Sequence, residues 1–394
     1  MTSAQLNIAL LAKALPCHQA GGLEFHVLDL ARGLNARGYR TTIITSAPPL
    51  SPCLNIDVSD LNIKYAATGA PGRYSRIYFK ETQHLLETLH AAEPFALVHA
   101  QEFAAFYWRQ NPRLPLVTTI HGVLYSETPL ARPIFRQGTL AQKIAWLWRF
   151  KHRILMRGHY RRLLIASDRL IVDSEFTKGE LLRDRVPEAK ITLAPLGVND
   201  SEFAPLGAVE ARKRLGRMRP YLLTVSRLTW VKGIQTGIEA FAQSGVDLDY
   251  IIIGDGPERE KLKRLAERYP QLNIEFLATV STDQLPLYYS GAELVLMPEY
   301  SQPAFGLVAL EANLAGAPVL ATRTGALPEV VGQAGGWLFE RGDVDECAKQ
   351  LKQLLSDPKA LQAKGKQASA AARQRFSIEK MIDQVEDAYR ACLA

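Results

Sequence analysis

The chain has 394 residues, of which 47% are hydrophobic and 22% charged, more than one hydrophobic core usually serves, so two globular domains are expected and an unfolded chain is excluded. Four scattered cysteines, Cys17, Cys53, Cys347 and Cys392, have neither metal-ligand spacing nor the density of a disulfide-stapled domain, and suit a reducing compartment. The formal net charge of +7 is local: Thr128 to Ser167 holds nine Lys or Arg and no Asp or Glu, leaving 38 bases against 40 acids elsewhere.

The opening MTSAQLNIALLAKALPCHQAGG carries an apolar run without a basic leader and too short to span a bilayer, and it reads as a first buried strand. Gly21 and Gly22 follow it and precede a helix bearing Leu23, His26, Val27 and Leu30. A Gly-Gly turn lets backbone amides approach a phosphate or sugar without a Cβ in the way, although it also serves as plain turn chemistry. Further β-branched runs, RTTIITS, ALVHAQ, LVTTIHG, RLIVDS and ITLAPLG, alternate with helix-like segments, the pattern of a parallel sheet. His121 ends LVTTIHG, so its imidazole is expected to point from the sheet edge into a cleft. Asp173, Ser174 and Glu175 read as the N-cap of the next helix.

Between these strands lies the basic segment. Arg149, Arg153, Arg157 and Arg161 recur every four residues, and Ile144, Leu147, Trp148, Ile154 and Leu155 fall on another helical face. Docking to an anionic membrane surface, a solvated face on an ordinary core helix, and nucleic-acid binding all fit such a helix. No zinc, RRM or helix-turn-helix pattern supports the last, and no nucleic-acid partner is expected.

The junction falls at NDSEFAPLGAVEARKRL, Asn199 to Leu215, after which the alternation resumes with YLLTVSRL, YIIIGDG, IEFLATV, ELVLMPE, PVLATRTG and GGWLFE. Arg227 follows the first of these strands and Lys232 lies five residues on, two cations able to neutralise a diphosphate. Gly254, Asp255 and Gly256 form a turn at the next strand end. In PEYSQPAFGLVALEANLAGAPVLATRTGALPEVV, the Phe305-Gly306-Leu307 turn brings backbone N–H groups, including that of Val308, to a helix start, with Glu311 about one turn further along.

That last segment resembles the C-terminal signature of retaining GT-B glycosyltransferases of the family-4 (group 1) type. The QAGGLEFHV, TIHG, SRLTWVKG and GDGP motifs are similar to others of that family and occur in its order. The resemblance implies two Rossmann-like doubly wound domains facing across a cleft: an acceptor-side domain over residues 1–200, a nucleotide-sugar domain over 201–377, and a terminal helix, 378–394, crossing back to the first. It implies that His121, Arg227 and Lys232 carry the chemistry, the cations stabilising a departing nucleoside diphosphate without metal or cofactor. It assigns Gly21, Gly22, Gly254, Asp255, Gly256, Phe305, Gly306, Leu307, Val308 and Glu311 to the donor, a UDP- or GDP-linked sugar, with Glu311 on the ribose. The family's first glutamate corresponds to Pro303 here, leaving Glu299 and Gln302 as candidate sugar contacts. With the basic helix, the expected enzyme is a retaining glycosyltransferase, cytoplasmic and peripheral on the inner face of a membrane, acting on a lipid-linked or lipopolysaccharide-like acceptor. The alternatives are a catalytically reduced relative and a soluble enzyme acting on a metabolite.

Overall fold

The computed structural model describes residues 6–19, 21–106, 114–122, 140–199, 202–281 and 283–394, without the side chains of residues 141, 142, 145, 149, 150 and 152–157. The chain divides into two compact units: Met1–Tyr125 with Leu147–Val198 and Ile378–Ala394, and Ser126–Trp146 with Asn199–Ser377. The start of the long basic helix, Leu140–Trp146, groups with the second unit, where Trp146 packs beside Trp230, Val231 and Tyr300.

The first unit is a seven-stranded parallel sheet in the order β3-β2-β1-β4-β5-β6-β7. Its strands are β1 (Asn7–Leu11), β2 (Arg40–Thr45), β3 (Asn62–Tyr65), β4 (Leu97–Gln101), β5 (Leu116–Ile120), β6 (Arg169–Val172) and β7 (Ile191–Leu193). Strands β1, β4 and β5 are buried along almost their whole length, which is why they read as continuous apolar runs. The edge strand β3, NIKY, alternates exposed and half-buried residues and has no such run; it was not expected. The helices are α1 (Gly22–Ala36), α2 (Arg76–Ala92), the long basic α3 (Leu140–Ala166) and α4 (Glu175–Arg183). Ser174 caps α4 as expected, its hydroxyl accepting from Thr177 N at 3.1 Å.

The second unit is a six-stranded parallel sheet in the order β10-β9-β8-β11-β12-β13. All six strands were expected: β8 (Tyr221–Val225), β9 (Asp249–Ile253), β10 (Ile274–Leu277), β11 (Leu294–Met297), β12 (Val319–Thr322) and β13 (Gly336–Phe339). Helices α5 (Ala208–Arg214), α6 (Ile234–Ser244), α7 (Arg259–Ala266), α8 (Leu285–Gly291), α9 (Leu307–Leu314), α10 (Leu327–Gly335), α11 (Val344–Leu355) and α12 (Pro358–Arg375) belong to it.

The last helix, α13 (Ile378–Leu393), belongs to the first unit. Met381, Ile382, Val385 and Tyr389 join Leu28, Leu34 and Ile171 in one core. Gly33 on α1 permits this approach, since a Cβ there would lie 2.7 Å from Ile382 Cδ1. In each sheet the strand order reverses once, between β1 and β4 and between β8 and β11, and ligands of such sheets bind beyond the carboxyl ends at that reversal.

Candidate active site

In the second unit the expected donor residues gather at the carboxyl edge around the β8/β11 reversal. Arg227 follows β8, is exposed, and makes no ion pair among the described residues. Its loop is held from behind by the Gly254-Asp255-Gly256 turn: Leu228 N donates to Asp255 O at 2.8 Å, and Glu258 N donates to Leu228 O at 3.0 Å. Gly254 has φ +138, and a Cβ there would fall 2.0 Å from Ser226 O. The turn's glycines are therefore needed for two backbones to touch, and the Asp255 carboxylate is spent on Gly256 N at 2.8 Å.

Lys232 ends a 3-10 turn, Trp230–Lys232, that lies against the loop after β11. Tyr300 N and Ser301 N both donate to Val231 O, at 2.8 and 3.1 Å, and Gly233, at φ +67, has no room for a Cβ because Pro298 O would lie 1.7 Å away. This contact pairs Lys232 with Glu299, which is 4% exposed and also accepts from the Ser301 hydroxyl. Two residues expected to act separately are thus one ion pair, and Glu299 is not a free carboxylate for a sugar. Gln302 and Pro303 are half-buried; Pro303 O accepts from Ala326 N at 2.9 Å, and Gly325, at φ +54, packs directly under both.

Gly306, at φ +118, caps α9 with no side chain, so the first-turn N–H groups of Leu307 and Val308 have no capping acceptor and no intrahelical one. The Phe305 ring, buried edge-on against Phe376 at 5.5 Å, anchors the turn. Glu311 lies one turn along α9 and accepts from the hydroxyl of Tyr289 on α8 at 2.8 Å. Burial pushes its carboxyl up to about 7; the Tyr289 hydrogen bond opposes that shift and the charge of Glu202 adds to it. The arrangement offers donors and a dipole for an anion, with a carboxylate one turn away for hydroxyls.

In the first unit, Gly21 caps α1 without a side chain, and a Cβ on it would meet Glu24 Oε2 at 2.4 Å. His121 departs from expectation: its side chain is 2% exposed, with Nε2 2.7 Å from Gln101 Oε1 and Nδ1 3.4 Å from Asp173 Oδ2. Asp173 is therefore more than part of a helix cap, a role that sequence reasoning missed. The signal was available in strand order, because β5 and β6 are neighbours with Ile120 paired to Val172, which sets the following His and Asp side by side.

Among the described residues no three His, Cys, Asp or Glu side chains gather as a metal-ligand set, and no helix is long and apolar enough to cross a membrane. Helix α3 is present, but the side chains of Arg149, Arg153 and Arg157 lie outside the described residues; Arg161 is exposed.

Two family models tile this architecture: Glycosyltransferase Family 4 over residues 20–202 and Glycosyl transferases group 1 over residues 209–375. The chain belongs to the family-4, group 1 glycosyltransferases. It is 28% identical over 291 residues to the sulfoquinovosyl transferase SQD2 of Arabidopsis thaliana, covering 72% of this chain and 52% of that protein. It is 32% identical over 216 residues to a GDP-mannose-dependent alpha-(1-6)-phosphatidylinositol monomannoside mannosyltransferase of Mycobacterium tuberculosis, covering 51% of this chain and 56% of that one. These matches thus span about half the length of either relative. The sucrose-phosphate synthase of Thermosynechococcus elongatus superposes with a TM-score of 0.79 at 24% identity, over 98% of each chain, a likeness of fold. The GT-B fold of the family is the two-sheet architecture described above.

Proposed function

We propose that this family-4 protein transfers a glycosyl unit from a nucleoside diphosphate sugar to an acceptor, with retention of configuration and without a metal. The observation that carries this reading is the carboxyl edge of the second sheet, where exposed Arg227, Lys232, the uncapped amides of Leu307 and Val308, and the half-buried Glu311 line one strand reversal. As the glycosidic bond breaks, negative charge grows on the leaving diphosphate, and fixed cations and amides stabilise that charge more than they stabilise the ground state. Glu311 suits the ribose hydroxyls. The GDP-mannose dependence in the name of the mycobacterial relative supports a nucleotide sugar, and its phosphatidylinositol-derived acceptor supports a lipid-linked one. The basic α3, on the inner face of a membrane, would be the docking element.

The test is a thermal-shift screen of uridine and guanosine diphosphates and their sugars, followed by transfer assays with and without EDTA. One base should raise the melting temperature by mass action, and its sugar should be transferred equally in both conditions. No shift with any nucleotide would overturn the donor assignment, and loss of transfer in EDTA would overturn the metal-free mechanism.

A catalytically reduced, nucleotide-binding relative is the second reading, favoured by one observation: Pro303 replaces the family glutamate while Glu299 is committed to Lys232. That reading expects a nucleotide shift without transfer. If the enzyme is active, Pro303→Glu should lower native transfer, because the new charge enters a loop built around Ala326 N and Gly325 without a partner for it. A higher transfer rate with the same donor and acceptor would contradict this account of the loop.

A further inference from the structure

His121 sits at the end of β5 with an oxygen beside each ring nitrogen, Gln101 Oε1 at Nε2 and Asp173 Oδ2 at Nδ1. An amide oxygen only accepts, so Nε2 must carry a hydrogen. Nδ1 then either carries a second hydrogen or receives one from a protonated Asp173. These two descriptions differ only in where one proton lies between Nδ1 and Oδ2, and in both the pair has no net charge. The other arrangement turns the Gln101 amide through half a turn, so that its NH₂ donates to a bare Nε2 and Nδ1–H faces an ionised Asp173. That pair carries a net charge of −1.

The surroundings favour the uncharged pair. Both side chains are buried, at 2% and 1% exposure, and a net charge there costs more than a neutral pair. From α1, His26 packs edge-on against His121 at 5.1 Å with its Nδ1 buried and without a partner among the described residues, and burial holds it far below the usual histidine range. From β4, His99 is held down to about 3 by burial, its nitrogens taken by Tyr389 and Thr119. Neither neighbour supplies a positive charge to offset an anionic pair. The Glu102 carboxylate lies beside Gly122, 3.9 Å from where a Cβ would stand, and adds no positive charge to this end of the strand. Burial raises the carboxyl of Asp173, while its contact with His121 opposes that shift. The Gln101 amide does not itself choose between the two arrangements: its outer atom, Nε2 as placed, is buried with no partner among the described residues, and turning the amide would leave the oxygen there instead.

We infer that His121 and Asp173 hold one proton between them and carry no net charge, with Gln101 keeping Nε2 protonated. Asp173 and Gln101 are then positioning residues that act through His121. Its bearing on turnover rests on the glycosyl-transfer reading; the protonation state does not.

The experiment uses the full chain labelled with ¹⁵N-histidine, with His121 assigned by its loss in His121→Gln. At pH 7, long-range ¹H–¹⁵N correlation should show Nε2 as a protonated nitrogen, and a bare Nε2 with the proton on Nδ1 alone would overturn the inference. Asp173→Asn should move the His121 titration down by at least about one pH unit, and Gln101→Glu should move it up, since each changes one carboxylate beside the ring. Shifts of the same sign in both variants would also overturn it. If transfer is measurable, the alkaline limb of its pH profile should follow these shifts, with Asp173→Glu partly restoring the wild-type limb. If no donor is ever found, the spectroscopic result stands alone and only the transferase reading fails.

Discussion

Lys232 and Glu299 show how a contact changes what a substitution means. Lys232→Ala removes a cation from the carboxyl edge of the second sheet, but it also leaves Glu299 buried without its partner. Stability should fall, by less than the ~3–5 kcal/mol of a fully buried pair because the Lys232 side chain is 25% exposed. The double variant Lys232→Ala/Glu299→Gln should regain most of the melting temperature and none of the turnover. Arg227→Ala has no such burden; it should keep wild-type stability and lose about 10²–10³-fold in kcat, the order known for one electrostatic donor. Unchanged kcat would remove Arg227 from the site. Glu311 gives a second prediction at this scale. Its folded pKa of about 7 lies above the unfolded carboxyl value of 4.5, so the folded state binds more protons between those limits and loses stability as pH rises through them. Glu311→Gln, which carries no charge to bury, should therefore melt higher than wild type at pH 8 and not at pH 4.5. Nucleoside diphosphate binding should run the other way, weakening in wild type by up to about tenfold per unit below pH 7 as the carboxylate protonates. A pH-independent affinity in wild type would take Glu311 away from the ribose.

Among the elements, α3 is tested most directly by vesicles. The protein should sediment with anionic vesicles and be released by salt, since each exposed base near such a surface contributes about 1 kcal/mol and the field fades within a Debye length. Arg149, Arg153 and Arg157 changed together to Gln should abolish the binding, and equal partition to neutral and anionic vesicles would leave an ordinary solvated helix. Its existence was legible because a run of four-residue spacings leaves a strong helical period, whereas β3 was not: four residues at a sheet edge need no apolar run. The turns at the carboxyl edge of the second sheet were legible for a related reason, as Gly306, Gly254 and Gly233 mark backbones that must bend to positive φ or touch another chain segment. Pairings across the sheet left no local trace. Lys232 with Glu299, and His121 with Asp173, are separated by 67 and 52 residues and meet only because parallel strands bring their carboxyl ends together.

At the scale of the whole molecule, the two units have separate sheets and separate cores, yet the first is completed only by the last sixteen or so residues of the chain, in α13. Within that helix Tyr389 is 1% exposed, and its hydroxyl lies 2.7 Å from the Nδ1 of His99. The first unit should therefore be the acid-sensitive one. His99 is held at about 3 in the fold against 6.5 unfolded, so the unfolded chain binds more protons between those values; the stability of the neutral imidazole is present above pH 6.5 and is lost as pH falls towards 3. Each pH unit in that window costs up to about 1.4 kcal/mol. Truncation after Ser377 should lower the unfolding transition of the first unit while the second still melts with its nucleotide-dependent shift, because Met381, Ile382, Val385 and Tyr389 leave the first core and none leaves the second. Hydrogen exchange would separate the two: protection should drop over β1, β4 and β5 in the truncated chain and in wild type at pH 5, and stay unchanged over β8, β9 and β11. Equal loss of protection in both sheets would mean that the terminal helix stabilises the molecule as one cooperative body and not through the core it enters.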